Sequence, residues 1–322
     1  MSAANRAGRR AIWAAHGLID TAVLLVVILM MAIGGFALWD SGQVVKAAEA
    51  ANYDIYDPHA VVPGHSFEEL QAINPEVFAW LTVYGTHIDY PIEQGPNNMK
   101  YVSTNAEGEY SLSGGIFLDA SENRDFSGFP SILYGHHMEQ QAMFGEIGLF
   151  ADKSYFDARR YGRLFYDGKD HGLEFFAFVQ ADAYDRSVFR INIQGLPERQ
   201  AYLDGLLTKA LHTRDLRVVV QDRILLLSTC SDASTNGRDI LVGRITDQLF
   251  DNPFLDESLR ETHSSFADTL ASWWAQIPWW AKVFLVSLLL LLVALLVWAV
   301  LKRKRRAHYP TQYRPGEGKM PA

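Results

Sequence analysis

Short apolar runs, each broken by turn-forming residues, fill the middle of the chain. From Pro75 onward they recur at intervals of roughly ten to twenty residues. The runs read FAWLTV, HIDYPI, GGIFLDA, SILYGH, RLFYDG, LEFFAFVQADAY, RVVV, RILLLSTC and DILVGRI. Short strands at this spacing are typical of a closed or sandwich-like β domain, whereas a parallel sheet would alternate its strands with helices. The pattern therefore predicts a domain that is mainly β.

Three stretches carry helical signals instead. SFEEL, which begins at Ser66, fits a capping box and predicts a helix to about Ile73. AMFGEIGLF at 142–150 is a second helical stretch. In the third, at 197–212, apolar residues recur at three-to-four spacing behind an N-terminal proline. The expected fold class is mainly β with added helices.

Two long apolar segments lie near the ends of the chain. Residues 21–38 carry no charge, and at about 1.5 Å per residue a helix of this length nearly spans a hydrocarbon core. Residues 283–301 are purer still and complete a predicted membrane helix at 279–301. Tryptophans of the kind found at membrane interfaces lie at its start: Trp273, Trp274, Trp279 and Trp280. We expect two transmembrane helices that flank the β domain.

Basic residues lie on the outer flank of each segment. Three arginines precede the first, and KRKRR at 302–306 follows the second. The positive-inside rule then puts both termini in the cytoplasm and the region between them outside the cell. A cleaved signal peptide is the alternative for the first segment, since a small-residue site occurs at 48–50, but that site lies well past the apolar run. We expect a two-pass protein of the cell membrane.

The domain organisation follows from these segments. Residues 66–250 form the expected β domain, preceded by an extracellular linker or stalk and followed by a juxtamembrane linker. The remaining boundaries are 1–20 for the cytoplasmic N-terminus, 21–38 and 279–301 for the membrane helices, 39–65 and 251–278 for the two linkers, and 302–322 for the basic cytoplasmic tail.

Composition narrows the chemistry. The formal net charge is −8, and no surface-sized basic cluster suggests a nucleic-acid partner. The chain has one cysteine, which excludes an intramolecular disulfide framework and a cysteine-rich zinc site. We expect no nucleic-acid partner.

That single cysteine, Cys230, ends an apolar run in ILLLSTC. It is either a buried, inert thiol or a nucleophile. A nucleophile needs a group that moves protons and a donor for the developing oxyanion. Of ten histidines, only His136 and His137 end a strand-like run, and neighbouring residues of an extended chain point in opposite directions. At most one of the pair can therefore face Cys230.

Two arginines compete for the role of the donor. Arg238 follows the turn-like segment SDASTNG and opens the run DILVGRI, so a hairpin could bring it to Cys230. Arg244 lies six residues further along the same strand, about 20 Å away if the chain is extended. A surface ion pair is the alternative for either arginine. Proximity to Cys230 favours Arg238, whose guanidinium offers several fixed donors.

Several segments around these residues resemble those of a known enzyme family. LLLSTC, the arginine that begins the next strand and YGHHMEQQAMFGEI from Tyr134 are similar to the sortases, the cysteine transpeptidases that attach surface proteins to the cell wall of Gram-positive bacteria. Within this family the segments are most similar to class B sortases, whose histidine segment has the form YGHNM followed by MFG. The matching positions are Tyr134, Gly135, His136, Met138, Met143, Phe144 and Gly145.

Other segments extend the resemblance over residues 68–248. NPEVFAWLTVYGTHIDYPI, NNMKYV and GGIFLDA resemble upstream segments of class B, and the helix at 197–212 falls where class B members carry one. The resemblance implies a sortase-type closed β-barrel. It also implies Cys230 as the nucleophile, His136 as the general acid and base, and Arg238 as the donor to the oxyanion or the substrate. The residues that it implies for the substrate groove are Tyr134, Ser228 and Asn98.

Three features depart from the class B pattern. His137 occupies the place where the family usually has asparagine. The second membrane segment is more typical of class C, the pilin-polymerising sortases. Class C enzymes also carry a lid with an Asp-Pro-aromatic motif, and residues 57–59 read Asp-Pro-His in that region. The other reading of this dipeptide is an ordinary turn.

The resemblance implies a membrane-anchored sortase. Such an enzyme cleaves a C-terminal sorting motif of a secreted protein, holds the acyl group as a thioester, and transfers it to an amine. The amine comes from a cell-wall precursor or from a lysine of a pilin subunit. The chemistry that the resemblance implies requires no metal and no organic cofactor. The second hypothesis is a cell-surface cysteine peptidase that hydrolyses the acyl-enzyme. The third is a catalytically silent membrane-anchored scaffold.

Overall fold

The computed structural model describes residues 3–59, 66–231 and 236–254. The predicted second membrane helix at 279–301, its tryptophans and the basic tail lie outside the described residues.

Four α-helices and nine strands make up the described chain. The helices are α1 (Ala3–Ala48), α2 (Phe67–Ile73), α3 (Lys153–Ala158) and α4 (Leu196–Lys209). The strands are β1 (Val77–Val83), β2 (Asp89–Glu93), β3 (Ile116–Leu118), β4 (Ser131–Tyr134), β5 (Tyr161–Tyr166), β6 (Lys169–Asp182), β7 (Ala210–Thr213), β8 (Arg223–Cys230) and β9 (Gly237–Thr246). The capping prediction for α2 is confirmed, because the Ser66 hydroxyl accepts from the backbone N–H of Glu69.

Eight of these strands close into a barrel. Their order is β5-β1-β2-β3-β4-β8-β9-β6, and β6 pairs in turn with β5. The fourteen-residue strand β6 is long enough to pair with β5 through its first half and with β7 further along, so β7 extends the sheet outside the ring. The predicted closed β-barrel with added helices is confirmed.

Apolar side chains are buried on both faces of β8. Leu225 and Leu227 point into the barrel, whereas Ile224 and Leu226 belong to a second core on its outer side. Helix α4 covers this outer core with Tyr202, Leu203 and Leu206, a spacing that places all three on one helical face. Burial on both faces explains why this strand reads as a continuous apolar run with no polar alternation.

The N-terminal helix is much longer than the apolar segment that predicted it. His16–Ala48 is long and apolar enough to cross a membrane, its most apolar stretch of 18 residues has a mean hydropathy of 2.6, and most of its large apolar side chains are exposed. A signal sequence meets the same criteria of length and composition. The last turn lies against the barrel, where the Tyr90 hydroxyl donates to the Ala48 carbonyl at 2.8 Å. Tyr53 and Tyr56, in the following segment, are buried in the barrel core.

Two predicted helices differ in their extent. Of residues 142–150, only the end is helical, as a 3-10 turn over Ile147–Ala151 that leads into α3. Helix α4 stops at Lys209, and the last three residues of the predicted helix, 210–212, belong to β7 and pair with β6 instead. Open hydrogen-bonding groups along β6 stabilise this extended segment more than another helical turn would.

The apolar run RVVV at 217–220 is not a strand. Arg217 has a φ of +51°, in the left-handed region, so the backbone cannot stay extended through it. Three valines carry the strand signal, but no neighbouring strand pairs with them in the described sheet. The prediction of a strand here was wrong.

Candidate active site

Cys230 and Arg238 are direct partners across the β8–β9 hairpin. The register pairs Cys230 with Arg238, Thr229 with Asp239, and so on down both strands. At the hairpin mouth the Ser231 N–H donates to the Gly237 carbonyl at 2.9 Å, which closes the last rung beyond the cysteine. Cys230 is exposed, unlike the residues before it in β8. A free, accessible thiol therefore lies beside a guanidinium at one edge of the barrel.

His136 comes to the same edge through β4. Strands β4 and β8 are parallel neighbours, and Tyr134 is the partner of Ser228. The Gly135 N–H donates to the Ser228 carbonyl at 3.2 Å, so the chain past β4 still follows β8. His136 lies two residues beyond Tyr134, and Cys230 lies two residues beyond Ser228, the partner of Tyr134 on the parallel strand. Both therefore reach the same end of the barrel.

A carbonyl group holds the His136 ring. Its Nε2 lies 2.8 Å from the carbonyl oxygen of Val102. A carbonyl can only accept, so Nε2 carries the hydrogen and Nδ1 is the nitrogen able to take up a proton. Gly114 lies against the ring with a φ of +60°, and a Cβ there would come within 3.1 Å of the His136 Cδ2 atom. Any larger residue at this position would displace the imidazole or the backbone.

His137 lies on the other side of the sheet. It forms an isolated bridge with Met143, and its Cε1 is 4.0 Å from where a Cβ of Gly148 would be. A Cβ at Gly148 would also lie 3.2 Å from the Oδ2 atom of Asp239. The Oδ1 atom of Asp239 accepts from the Gln180 amide at 2.9 Å. Asp239 is the partner of Thr229 and thus has the opposite orientation to Arg238 and Cys230.

Arg244 has other partners far from Cys230. It pairs with Ile224 near the start of β8, six positions from the cysteine along the ladder. Its Nη2 donates to Glu174 at 2.7 Å, and its Nη1 lies 3.7 Å from Asp222. The structure brings Arg238, and not Arg244, to the edge that carries the thiol.

The three predicted groove residues lie on one side of the barrel. Ser228 and Tyr134 are cross-strand partners two positions before Cys230 and His136. The Ser228 Oγ is buried and has no hydrogen-bond partner among the described residues. Asn98 joins them indirectly, because it and Tyr134 both donate to one carboxylate, that of Asp119.

Asp119 is a residue of this site that the sequence analysis missed. It directly follows β3 in GGIFLDA and is 7% exposed. Burial raises the pKa of the Tyr134 hydroxyl well above its ordinary value, and the charge of Asp119 adds to this. Burial also raises the pKa of the neighbouring Glu122 to about 7, again with a contribution from Asp119. An acidic residue that ends an apolar run was the available signal.

The Asp-Pro-His segment does not lie over Cys230. The His59 Nε2 is 2.7 Å from Asp170, at the start of β6, and its Nδ1 is 2.9 Å from Asp57. Strand β6 begins at the end of the barrel opposite to Cys230, since Gly172 pairs with Thr246. In this structure the segment is a turn fixed to the end of the barrel opposite to Cys230.

Among the residues that the structure describes, no three His, Cys, Asp or Glu side chains converge on a point that could hold a metal ion.

Comparison with known proteins identifies similar molecules. No protein-family model matches the sequence. A relative called Sortase B from Staphylococcus aureus is 28% identical over 235 residues, which cover 69% of this chain and 94% of the relative.

Two crystal structures resemble the barrel at higher identity. Sortase B from the type II pilus of Streptococcus pneumoniae is 46% identical with a TM-score of 0.50, and the match covers 56% of this chain and 99% of that one. A class B sortase of Streptococcus pyogenes involved in pilus biogenesis is 39% identical with a TM-score of 0.51, and the match covers 56% and 97% of the two chains.

Proposed function

Because this chain belongs to the sortase family of transpeptidases, we propose that Cys230 is its nucleophile, with His136 as the general acid and base and Arg238 as the donor to the developing oxyanion. The observation that carries this assignment is the arrangement at one barrel edge. An exposed thiol pairs directly with Arg238, and a parallel neighbouring strand brings His136 to the same end.

In the acylation step His136 first accepts and then donates a proton. Its Nδ1 takes the proton of the Cys230 thiol as the sulfur attacks the carbonyl carbon of the scissile peptide bond, and the Arg238 guanidinium donates to the oxygen that becomes negative. As the tetrahedral intermediate collapses, the C–N bond breaks and His136 gives a proton to the departing amine. A thioester joins the substrate's acyl group to Cys230.

The second step reverses the roles. An incoming primary amine attacks the thioester carbonyl, and His136 accepts its proton through the nitrogen that does not bond Val102. The C–S bond breaks, His136 returns this proton to the sulfur so that the thiol is regenerated, and a new amide bond forms. The anchoring of the His136 ring by the Val102 carbonyl supports this proton transfer, because it fixes which nitrogen carries the hydrogen.

We assign the substrate groove to the side of the barrel that carries Ser228, Tyr134 and Asn98. A secreted protein with a C-terminal sorting motif would lie along β4 and β8, with its scissile bond at Cys230. The buried Ser228 hydroxyl supports this placement, because it lacks a partner among the described residues and lies two positions from the nucleophile. An unsatisfied buried hydroxyl gains a hydrogen bond when a peptide covers it.

The acceptor is an amine of a peptidoglycan precursor or a pilin lysine. The two crystal structures of pilus sortases are 46% and 39% identical to this chain, compared with 28% for the Staphylococcus aureus relative, which favours the lysine. The candidate span in α1 supports a membrane location. We propose that both termini are cytoplasmic and that the barrel is extracellular, as the basic flanks predict.

The test is a transfer reaction with the full-length protein in detergent micelles. A library of sorting-motif peptides is incubated with it alone, with a lysine-bearing peptide, or with a peptidoglycan-precursor amine. Mass spectrometry follows the peptide products and the mass of the protein. We expect an acyl adduct on Cys230 without acceptor, and a new amide product in at least one acceptor arm.

Two results would contradict the proposal. A cysteine peptidase would release the same hydrolysed peptide in every arm, with no product that contains the added amine. A silent scaffold would form no adduct, and its Cys230 would also fail to react with a substrate-mimicking electrophile. A product in the lysine arm alone would identify pilin polymerisation, and one in the precursor arm alone would identify cell-wall anchoring.

A further inference from the structure

We propose that Asp119 is a positioning residue that sets the hydrogen-bond polarity of the groove wall, by holding the Tyr134 hydroxyl and the Asn98 amide in fixed orientations. This inference rests on the proposed function, since Tyr134 and Asn98 matter only if the groove binds a peptide. Asp119 itself is buried and sits behind both side chains, which remain partly exposed.

The contacts of Asp119 leave it little freedom. Its Oδ2 accepts from Asn98 Nδ2 at 2.7 Å and from the Tyr134 hydroxyl at 3.3 Å. Its Oδ1 accepts from the backbone N–H of Ser121 at 2.9 Å. The turn that follows β3 therefore fixes one carboxylate oxygen, and the other oxygen faces the two groove side chains.

The Asn98 amide can adopt only one orientation in this arrangement. Its Oδ1 accepts from the Ala120 N–H at 2.7 Å, and its Nδ2 donates to Asp119. Rotating the amide by 180° would place its oxygen against the carboxylate and its NH₂ against a backbone N–H, so both contacts would become repulsive. The second N–H of the amide therefore remains as a hydrogen-bond donor, and the Oδ1 atom is turned toward the Ala120 backbone.

The Tyr134 hydroxyl has the complementary polarity. A carboxylate accepts only, so the phenol hydrogen points to Asp119 and the oxygen lone pairs remain for another group. One carboxylate thereby makes Tyr134 an acceptor and Asn98 a donor for whatever lies in the groove. A substrate that presents a donor to the Tyr134 oxygen and an acceptor to the Asn98 N–H forms two hydrogen bonds. A substrate with these two groups exchanged meets two repulsive contacts.

The first experiment uses Asp119→Asn in the full-length enzyme with a turnover peptide. An amide at this position keeps an oxygen for the Ser121 N–H but presents its NH₂ to the Asn98 NH₂, so the fixed polarity is lost. We expect KM for the peptide to rise about tenfold, with kcat within about threefold of the wild type, because the reacting groups are not touched. Asp125→Asn is the matched control, since Asp125 accepts from the Ser127 N–H in a similar turn but is exposed.

A double-mutant cycle separates positioning from a structural role. In the Tyr134→Phe/Asn98→Ala background, Asp119→Asn should change KM by less than about twofold, because the two side chains through which it acts are gone. A tenfold effect that persists in that background would overturn the proposal, as would an equal KM rise in Asp125→Asn. If Asp119→Asn unfolds, the cycle between Tyr134→Phe and Asn98→Ala replaces it, and strictly additive KM changes would overturn the proposal.

A spectroscopic readout does not depend on turnover. With ¹³C-labelled tyrosine, the Cζ resonance of Tyr134, identified by its loss in Tyr134→Phe, should shift in Asp119→Asn and stay in place in Asp125→Asn. An unshifted resonance would overturn the proposed contact. Absence of any transfer by the wild type would instead contradict the proposed function, so the two failures are distinguishable.

Discussion

The Cys230 side chain and the Arg238 side chain lie next to each other as partners in the ladder of β8 and β9, although eight positions separate them in the sequence. Partners in an antiparallel ladder project from the same face of the sheet. Thiol and guanidinium therefore share the outer face of the barrel, together with Ser228 two positions earlier.

Replacing the thiol tests the nucleophile without disturbing the fold. We expect Cys230→Ala to lower the transfer rate at least about a thousandfold, since no other side chain can form the thioester. The free energy of unfolding should stay within about 0.5 kcal/mol of the wild type, because Cys230 is exposed. Mass spectrometry of products and a denaturant titration measure the two quantities. Turnover that survives in a pure sample of the variant would rule out Cys230.

The adjacent histidines should differ sharply. His136→Ala removes the ring that bonds Val102 at the catalytic edge, and we expect transfer to fall about a hundredfold or more. His137→Ala alters contacts on the opposite side of the sheet, near Met143, and should reduce the rate less than about tenfold. Initial rates at saturating peptide, with unfolding midpoints for both variants, provide the comparison. Equal losses of rate would mean that the proton-transfer role does not belong to His136 alone.

The arginines offer a matched pair of conservative changes. Arg238→Lys should lower kcat about a hundredfold, because a single ammonium cannot reproduce the guanidinium fork beside Cys230. Arg244→Lys should leave kcat within about twofold and act on stability instead, since Arg244 holds Glu174 and approaches Asp222. Steady-state kinetics and thermal unfolding of both variants measure these effects. A near-normal Arg238→Lys combined with an inactive Arg244→Lys would reverse the assignment.

Glu122 predicts how the free energy of unfolding depends on pH. Burial, followed by the charge of Asp119, raises the pKa of Glu122 to about 7 in the folded protein, whereas an unfolded glutamate titrates near 4.3. The folded state therefore holds this proton over a range in which the unfolded state has lost it. The contribution of Glu122 is fully present below about pH 4.3 and is lost as the pH rises through about 7.

Glu122→Gln removes this titration. The free energy of unfolding of the variant, relative to that of the wild type, should be about 1 to 2 kcal/mol higher at pH 8 than at pH 4.5. Denaturant titrations across this range measure the difference. Glu109→Gln is the control, since the same change is made on an exposed side chain. A pH-independent difference between Glu122→Gln and the wild type would contradict the predicted shift.

The sequence predicted the barrel well because most of its strands are short, apolar and bounded by turns. Eight of the nine runs became strands, and the helical pattern of α4 placed Tyr202, Leu203 and Leu206 on the outer core. Predictions failed where local signals and tertiary contacts disagreed. The valines after Arg217 favour a strand, but that residue has a positive φ. Residues 210–212 continue the helical pattern of α4, but they pair with the edge of β6 instead.

Only part of the candidate site could be predicted from the sequence. The run that ends at Cys230 and the turn before Arg238 already indicated a hairpin, and the resemblance to sortases supplied His136, Tyr134, Ser228 and Asn98. Nothing in the sequence connected Asn98 with Tyr134, which are thirty-six positions apart in the numbering. Their common partner Asp119 belongs to a third segment, so the connection depends on how β3 and β4 pair.

By itself the sequence determined what is local: strand periodicity, the cap at Ser66, the apolar segments, and the hairpin that joins Cys230 to Arg238. Those features depend on neighbours within a few residues, for which propensity and spacing are sufficient. Only the tertiary structure decided that His136 bonds the Val102 carbonyl, that Asp119 holds two groove residues, and that residues 57–59 lie at the far end of the barrel. These contacts join segments far apart in the chain, and closure of the barrel sets which of them meet.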